Sequence, residues 1–81
     1  MTYNLKVRLD GINDPDEDIE DSLFKVGLDN STLYFQNSVA FLDVYEEGES
    51  EIKAISSIAK RIYKLVEIYP KIDGYALIKE E

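Results

Sequence analysis

From Ser50 to Tyr69 the apolar residues fall three and four apart: Ile52, Ile55, Ile58, Ala59, Ile62, Leu65, Val66 and Tyr69. That spacing draws one apolar stripe along a helix. Ser50 suits the N-cap, where its hydroxyl can accept from an N–H of the first turn. Pro70 ends the run, because it biases Tyr69 towards extended conformations and has no N–H of its own. Lys53, Lys60, Arg61 and Lys64 fall off the stripe and are expected in solvent. A helix with a single apolar face needs a flat apolar surface to lie on.

The remaining pattern predicts that surface. Tyr3, Leu5, Val7 and Leu9 alternate with Asn4, Lys6 and Arg8, the mark of a half-buried strand. Gly11 closes it. Asp14-Pro15 then reads as an N-cap followed by Pro at the first helical position. Asp16, Glu17 and Asp18 place negative charge at the positive end of the helix dipole. Ile19, Leu23 and Val26, helped by Phe24, carry a short stripe from about Pro15 to Val26, with Gly27 as the C′ residue.

Thr32 to Gln36 and Val39 to Tyr45 are strand-like, and only Asn37-Ser38 separates them, which is a hairpin signal. That turn sets Phe35 opposite Ala40 and Leu33 opposite Leu42, with Tyr34 facing Phe41 on the other side. Glu46-Glu47-Gly48-Glu49 is expected to break the strand. Ile72 to Lys79 makes a last strand interrupted by Gly74, and Lys79, Glu80 and Glu81 are expected to fray.

The predicted order is β-α-β-β-α-β. With right-handed crossovers it gives an α+β fold, the ferredoxin-like split βαβ sandwich. Its antiparallel four-stranded sheet, in spatial order 4-1-3-2, would carry two helices on one face. Leu5, Val7, Leu33, Phe35, Ala40, Leu42 and Val44 would then meet Ile19, Leu23, Ile55, Ile58, Ile62 and Leu65. No internal repeat, linker or low-complexity stretch divides the 81 residues, so a single domain spanning residues 1–81 is expected.

Composition mainly removes chemistry. There is no Cys and no His, and therefore no disulfide, no zinc ribbon, no thiol nucleophile and no histidine general base. The hydrophobic share of 44% and the nine aromatics argue for a folded chain despite a formal charge of −8. A chain of this size should expose about 5,000 Å² when folded. No basic start leads into an apolar run, and no apolar stretch approaches membrane-spanning length, so a soluble, cytoplasmic protein is expected. Charge is segregated. Asp10 to Asp21 holds seven of the seventeen carboxylates, and five of the nine basic residues lie between Lys53 and Lys71.

Glu20-Asp21-Ser22-Leu23-Phe24, Gly27, Asp29, Val39-Ala40-Phe41-Leu42-Asp43 and Ser50 with Ala54-Ile55-Ser56-Ser57 carry a likeness. The chain resembles the N-terminal α/β domain of small bacterial helix-turn-helix regulatory proteins of antitoxin-like type. That resemblance implies the fold and a partner-binding, regulatory role. The family's DNA-reading helices would begin where this chain stops, so no residue here is expected to read DNA.

Several patterns suggest sites. Tyr34, Phe41, Val39 and Tyr45 should lie on the uncovered sheet face, with Lys6 and Arg8 as a polar rim, and a contiguous aromatic patch there suits a protein partner or a homodimer. The alternative is an acidic nucleic-acid mimic. In it Asp14, Asp16, Glu17, Asp18, Glu20 and Asp21 imitate phosphates for a basic protein, together with Glu46 to Glu51. Asn37 to Val44 shares with the third strand of RNA-recognition motifs only the aromatic at Phe41, and the net charge repels phosphate. Asp14, Asp16 and Asp18 open like a calcium loop, but Ile19 stands at the glycine position and Lys25 at the bidentate glutamate position. No carboxylate, Lys, Tyr, Ser or Thr pair has a catalytic spacing. Neither an enzyme nor a cofactor is expected, and likewise no nucleic acid, membrane or small-molecule substrate. Calorimetric titration with zinc, calcium and magnesium should show no tight site. Micromolar zinc affinity would overturn the argument from the missing His and Cys.

Overall fold

A computed structural model of the chain describes residues 1–15 and 17–79; expectations placed on Asp16, Glu80 and Glu81 lie outside them. The elements are β1 (Thr2–Asp10), α1 (Glu17–Lys25), β2 (Thr32–Gln36), β3 (Val39–Glu47), α2 (Glu51–Ile68) and β4 (Gly74–Lys79). The strands form one four-stranded sheet in the order β2-β3-β1-β4, and every neighbouring pair is antiparallel.

Register decides what is inside. Leu5, Val7 and Leu9 of β1 stand opposite Val44, Leu42 and Ala40 of β3, and all six are buried. They share one cluster with Ile19 and Leu23 of α1 and with Ile58, Ile62 and Leu65 of α2. Both helices therefore cover the same face. Leu33 and Phe35 of β2 and Leu77 of β4 pack at the margins of that cluster. The surface left exposed is 5280 Å², close to the size-based expectation of about 5,000 Å².

The ends of the elements follow local chemistry. Ser50 is extended and its hydroxyl accepts from the Lys53 N–H at 3.2 Å, as an N-cap should. At the end of α1 the Leu28 N–H donates to the Leu23 carbonyl at 2.8 Å and the Gly27 N–H to that of Phe24 at 3.2 Å. With Gly27 at φ +79 this is the Schellman arrangement, and Leu23 and Leu28 supply its apolar contact. Asn37 and Ser38 both take positive φ, 54 and 64, so the hairpin turn is of the I′ kind without a glycine.

The structure corrects several boundaries and faces. Ile52 is 80% exposed, and Ala54 is buried in its place. At roughly 100° per residue, Ile52 lies about 120° from Ile58 around the helix, whereas Ala54 lies about 40° away. Phe24 is 70% exposed for the same reason, lying about 140° from Ile19. β3 runs on through Glu46 and Glu47, which pair with Tyr3 and Thr2, because β1 offers them a ladder. β4 begins at Gly74 rather than Ile72, and Ile72 is buried in the turn before it. The first described residue of α1 is Glu17, two positions after Pro15. Arg61 is not freely solvated: it donates to Glu46 at 2.6 Å across the helix–sheet seam.

Ile58 and Ile62 have no exposed surface and sit where α2 meets β1 and β3. Ile58→Ala and Ile62→Ala should each cost about 2–4 kcal/mol, the usual range for truncating a buried aliphatic residue. A chemical-denaturation midpoint that hardly moves would show that α2 is not anchored through this stripe.

Candidate functional site: the open face of the sheet

In a strand successive side chains alternate between faces, so the partners of the buried residues define the opposite surface. Across the middle of that surface runs the row Tyr34, Phe41, Arg8 and Ala76, one residue from each strand. Beside it lies the row Thr32, Asp43, Lys6 and Ile78. Val39 and Tyr45 occupy the same face of β3, with Tyr45 opposite Asn4. The six positions Tyr34, Phe41, Val39, Tyr45, Lys6 and Arg8 thus share one surface.

Tyr34 and Phe41 are stacked, with centroids 5.5 Å apart and planes inclined by 22°. The Lys6 Nζ lies 5.7 Å from the Tyr34 centroid and 5.4 Å from that of Phe41. One ammonium therefore sits over both rings, within the range of cation–π attraction. Lys6 is the cover of the patch rather than its rim. Arg8 turns instead to Asp10, to which its Nε donates at 3.0 Å. The two rings and Val39 are half-buried, and Tyr45 is exposed.

The same face holds two buried polar atoms with no hydrogen-bond partner among the described residues, Asn4 Nδ2 and Asp43 Oδ1. Asp43 is the register partner of Lys6, and Asn4 that of Tyr45. A donor and an acceptor removed from water without partners cost roughly 1–3 kcal/mol each. A docked chain could supply both complements. Nothing in the spacing of Asn4 or Asp43 singled them out; only pairing β1 with β3 brings them beside the rings. Ala76 and Ile78 were hidden too, because they join the face only when β4 starts at Gly74.

Asp14, Glu17, Asp18, Glu20 and Asp21 are exposed at and before α1. Glu46 is held by Arg61, and Glu49 by Lys53 at 2.8 Å. No three metal-ligating side chains converge among the described residues. None of the described helices is long and apolar enough to cross a membrane. No family model matches the chain, and no curated protein matches it.

The two cations on either side of the sheet should behave differently. Lys6→Ala removes a partly exposed cation–π contact and should cost about 0.5–1 kcal/mol. Arg61→Ala leaves Glu46, whose side chain is only 16% exposed, without its cation and should cost more, about 1–3 kcal/mol. Denaturation curves of the two variants with the opposite ranking would misplace the covered face.

Proposed function

We propose that this chain is a small, non-enzymatic interaction module of regulatory kind, working through the open face of its sheet. Its fold is assigned as the ferredoxin-like split βαβ sandwich. The observation that carries the reading is the stacked Tyr34–Phe41 pair under Lys6, on the face the helices leave uncovered. Aromatic side chains at the centre of an interface commonly carry most of its energy. Here they are already stacked on each other under Lys6, and a pair pre-arranged in this way has less to order on binding. The unpartnered Asn4 Nδ2 and Asp43 Oδ1 beside them are groups that an incoming chain can satisfy.

The partner is a protein, either a second copy forming a homodimer or a larger protein that the module regulates. The likeness to antitoxin-like regulators supports the second form. The acidic-mimic reading draws less support, since two of the carboxylates it would use, Glu46 and Glu49, are already paired with cations of this chain. A mimic's binding should also weaken steeply with salt, whereas docking through aromatic rings should persist.

Phe41→Lys separates the readings. The position is on the open face, so the variant should keep the circular dichroism of the native chain. It should lose dimerisation in light scattering, or lose the partner retained by the wild-type protein in a pull-down. Unfolding of the variant would place Phe41 in the core and shift the β3 register by one. A folded variant that binds normally would sink the open-face reading and favour the acidic surface.

A further inference from the structure

Among the described residues the sheet has two free edges, and neither edge strand contains a proline. β2 and β4 each pair on one side only. Edge strands are ordinarily blunted by proline, by charge or by a covering element. β2 reads Thr-Leu-Tyr-Phe-Gln, and β4 has no charge until its last residue. The pairing directions make β2 antiparallel to β4, since each step across the sheet reverses direction.

The helix beside each edge carries the opposite charge and a matching apolar feature. At the β2 edge, α1 presents Phe24, 70% exposed, among Glu20, Asp21 and Asp29 around a cleft of about 540 Å³. At the β4 edge, α2 presents a shallow groove of about 430 Å³ lined by Tyr63, Tyr75 and Ala59 between Lys60 and Lys64. Tyr63 is 61% exposed and Tyr75 40%. Neither Lys60 nor Lys64 has an acidic partner among the described residues. A ring fringed by carboxylates thus lies at one end of the molecule, and an aromatic recess fringed by ammonium groups at the other.

We infer that the chain assembles head to tail with further copies of itself, the β2 edge of one copy adding to the β4 edge of the next. Displacing a copy sideways in the plane of the sheet makes that contact antiparallel. It also keeps the helices on one side, bringing Phe24 and its carboxylates against Tyr63, Tyr75, Lys60 and Lys64 of the neighbour. The pairing supplies backbone hydrogen bonds to both edges, as in strand addition. The two surfaces differ, so the contact is heterologous, each copy keeps one unused end, and growth proceeds to a ring or an open filament. The open face takes no part, and its proposed docking role stands or falls separately.

Sedimentation velocity over a range of concentrations tests this, with two variants that each block one end. Phe24→Asp removes the projecting ring, and Lys60→Glu with Lys64→Glu reverses the groove. All three positions are exposed, so native circular dichroism is expected. The wild-type chain should pass from monomer to species larger than a dimer. Each variant alone should associate at least about tenfold more weakly, the loss expected for two exposed ion pairs or one anchor. An equimolar mixture of the variants should form a one-to-one dimer that does not grow, because each supplies the end the other lacks and the two blocked ends repel. A wild-type chain that stays monomeric to millimolar concentration overturns the inference. So does a closed dimer, or variants that assemble like the wild type. Association abolished by Phe41→Lys yet indifferent to the end-blocking variants would remove the edge contact and leave the open-face reading intact.

Discussion

Everything in this molecule depends on the seam where α2 presses on the β1–β3 pair. Val7 and Leu42 face each other across the central ladder, and Ile58, Ile62 and Leu65 close over them, none with exposed surface. A domain of this length has little apolar area to spare, so its marginal stability must be concentrated in this layer. Two periods have to agree there, the helical one of α2 and the twofold alternation of the strands. Once they do, a slip of one residue in either strand would carry its buried set to the solvent. The register is thereby locked, and the composition of the opposite face is decided with it.

That opposite face is a consequence as much as a feature. Because Leu33, Phe35, Ala40, Leu42 and Val44 are claimed by the helix layer, Tyr34, Val39, Phe41 and Tyr45 have nowhere else to go. Strand propensity alone would account for aromatics in these positions. What propensity does not account for is their arrangement. Two rings are stacked and capped by one lysine, while on the same face Asn4 Nδ2 and Asp43 Oδ1 are buried with no hydrogen-bond partner among the described residues. Such atoms are uncommon in folded proteins, and the docking proposed above would give each of them a complement.

Charge is sorted by element, which shapes how the molecule meets others. Acid collects at the start of α1 and in the loop before α2, where helix dipoles favour it. The basic residues of α2 divide by depth. Arg61 is drawn to Glu46 at the edge of the core, while Lys60 and Lys64 stay in solvent beside Tyr63. At a net charge of −8 the field of the chain as a whole is negative at a distance, and Lys60 and Lys64 are a local exception to it.

The sequence by itself determined the elements and their kinds. The stripe from Ile55 to Tyr69, the cap at Ser50, the alternation from Tyr3 to Leu9 and the Asn37-Ser38 turn each rest on local chemistry, and local chemistry is written in the neighbouring residues. It also determined which strand residues share a face, since the period of two admits no other grouping. Only the tertiary structure decided the rest. Glu46 and Glu47 look like a break until β1 lies beside them and extends the ladder. Phe24 and Ile52 look like stripe residues until the sheet shows which arc of each helix it covers. Asn4 comes opposite Tyr45, Asp43 and Ile78 come to flank Lys6, and Ala76 comes opposite Arg8 only through the pairings between β1 and its two neighbours. Such partners are far apart along the chain, and no local pattern records which strand will lie beside which; that is settled when the apolar faces find one another.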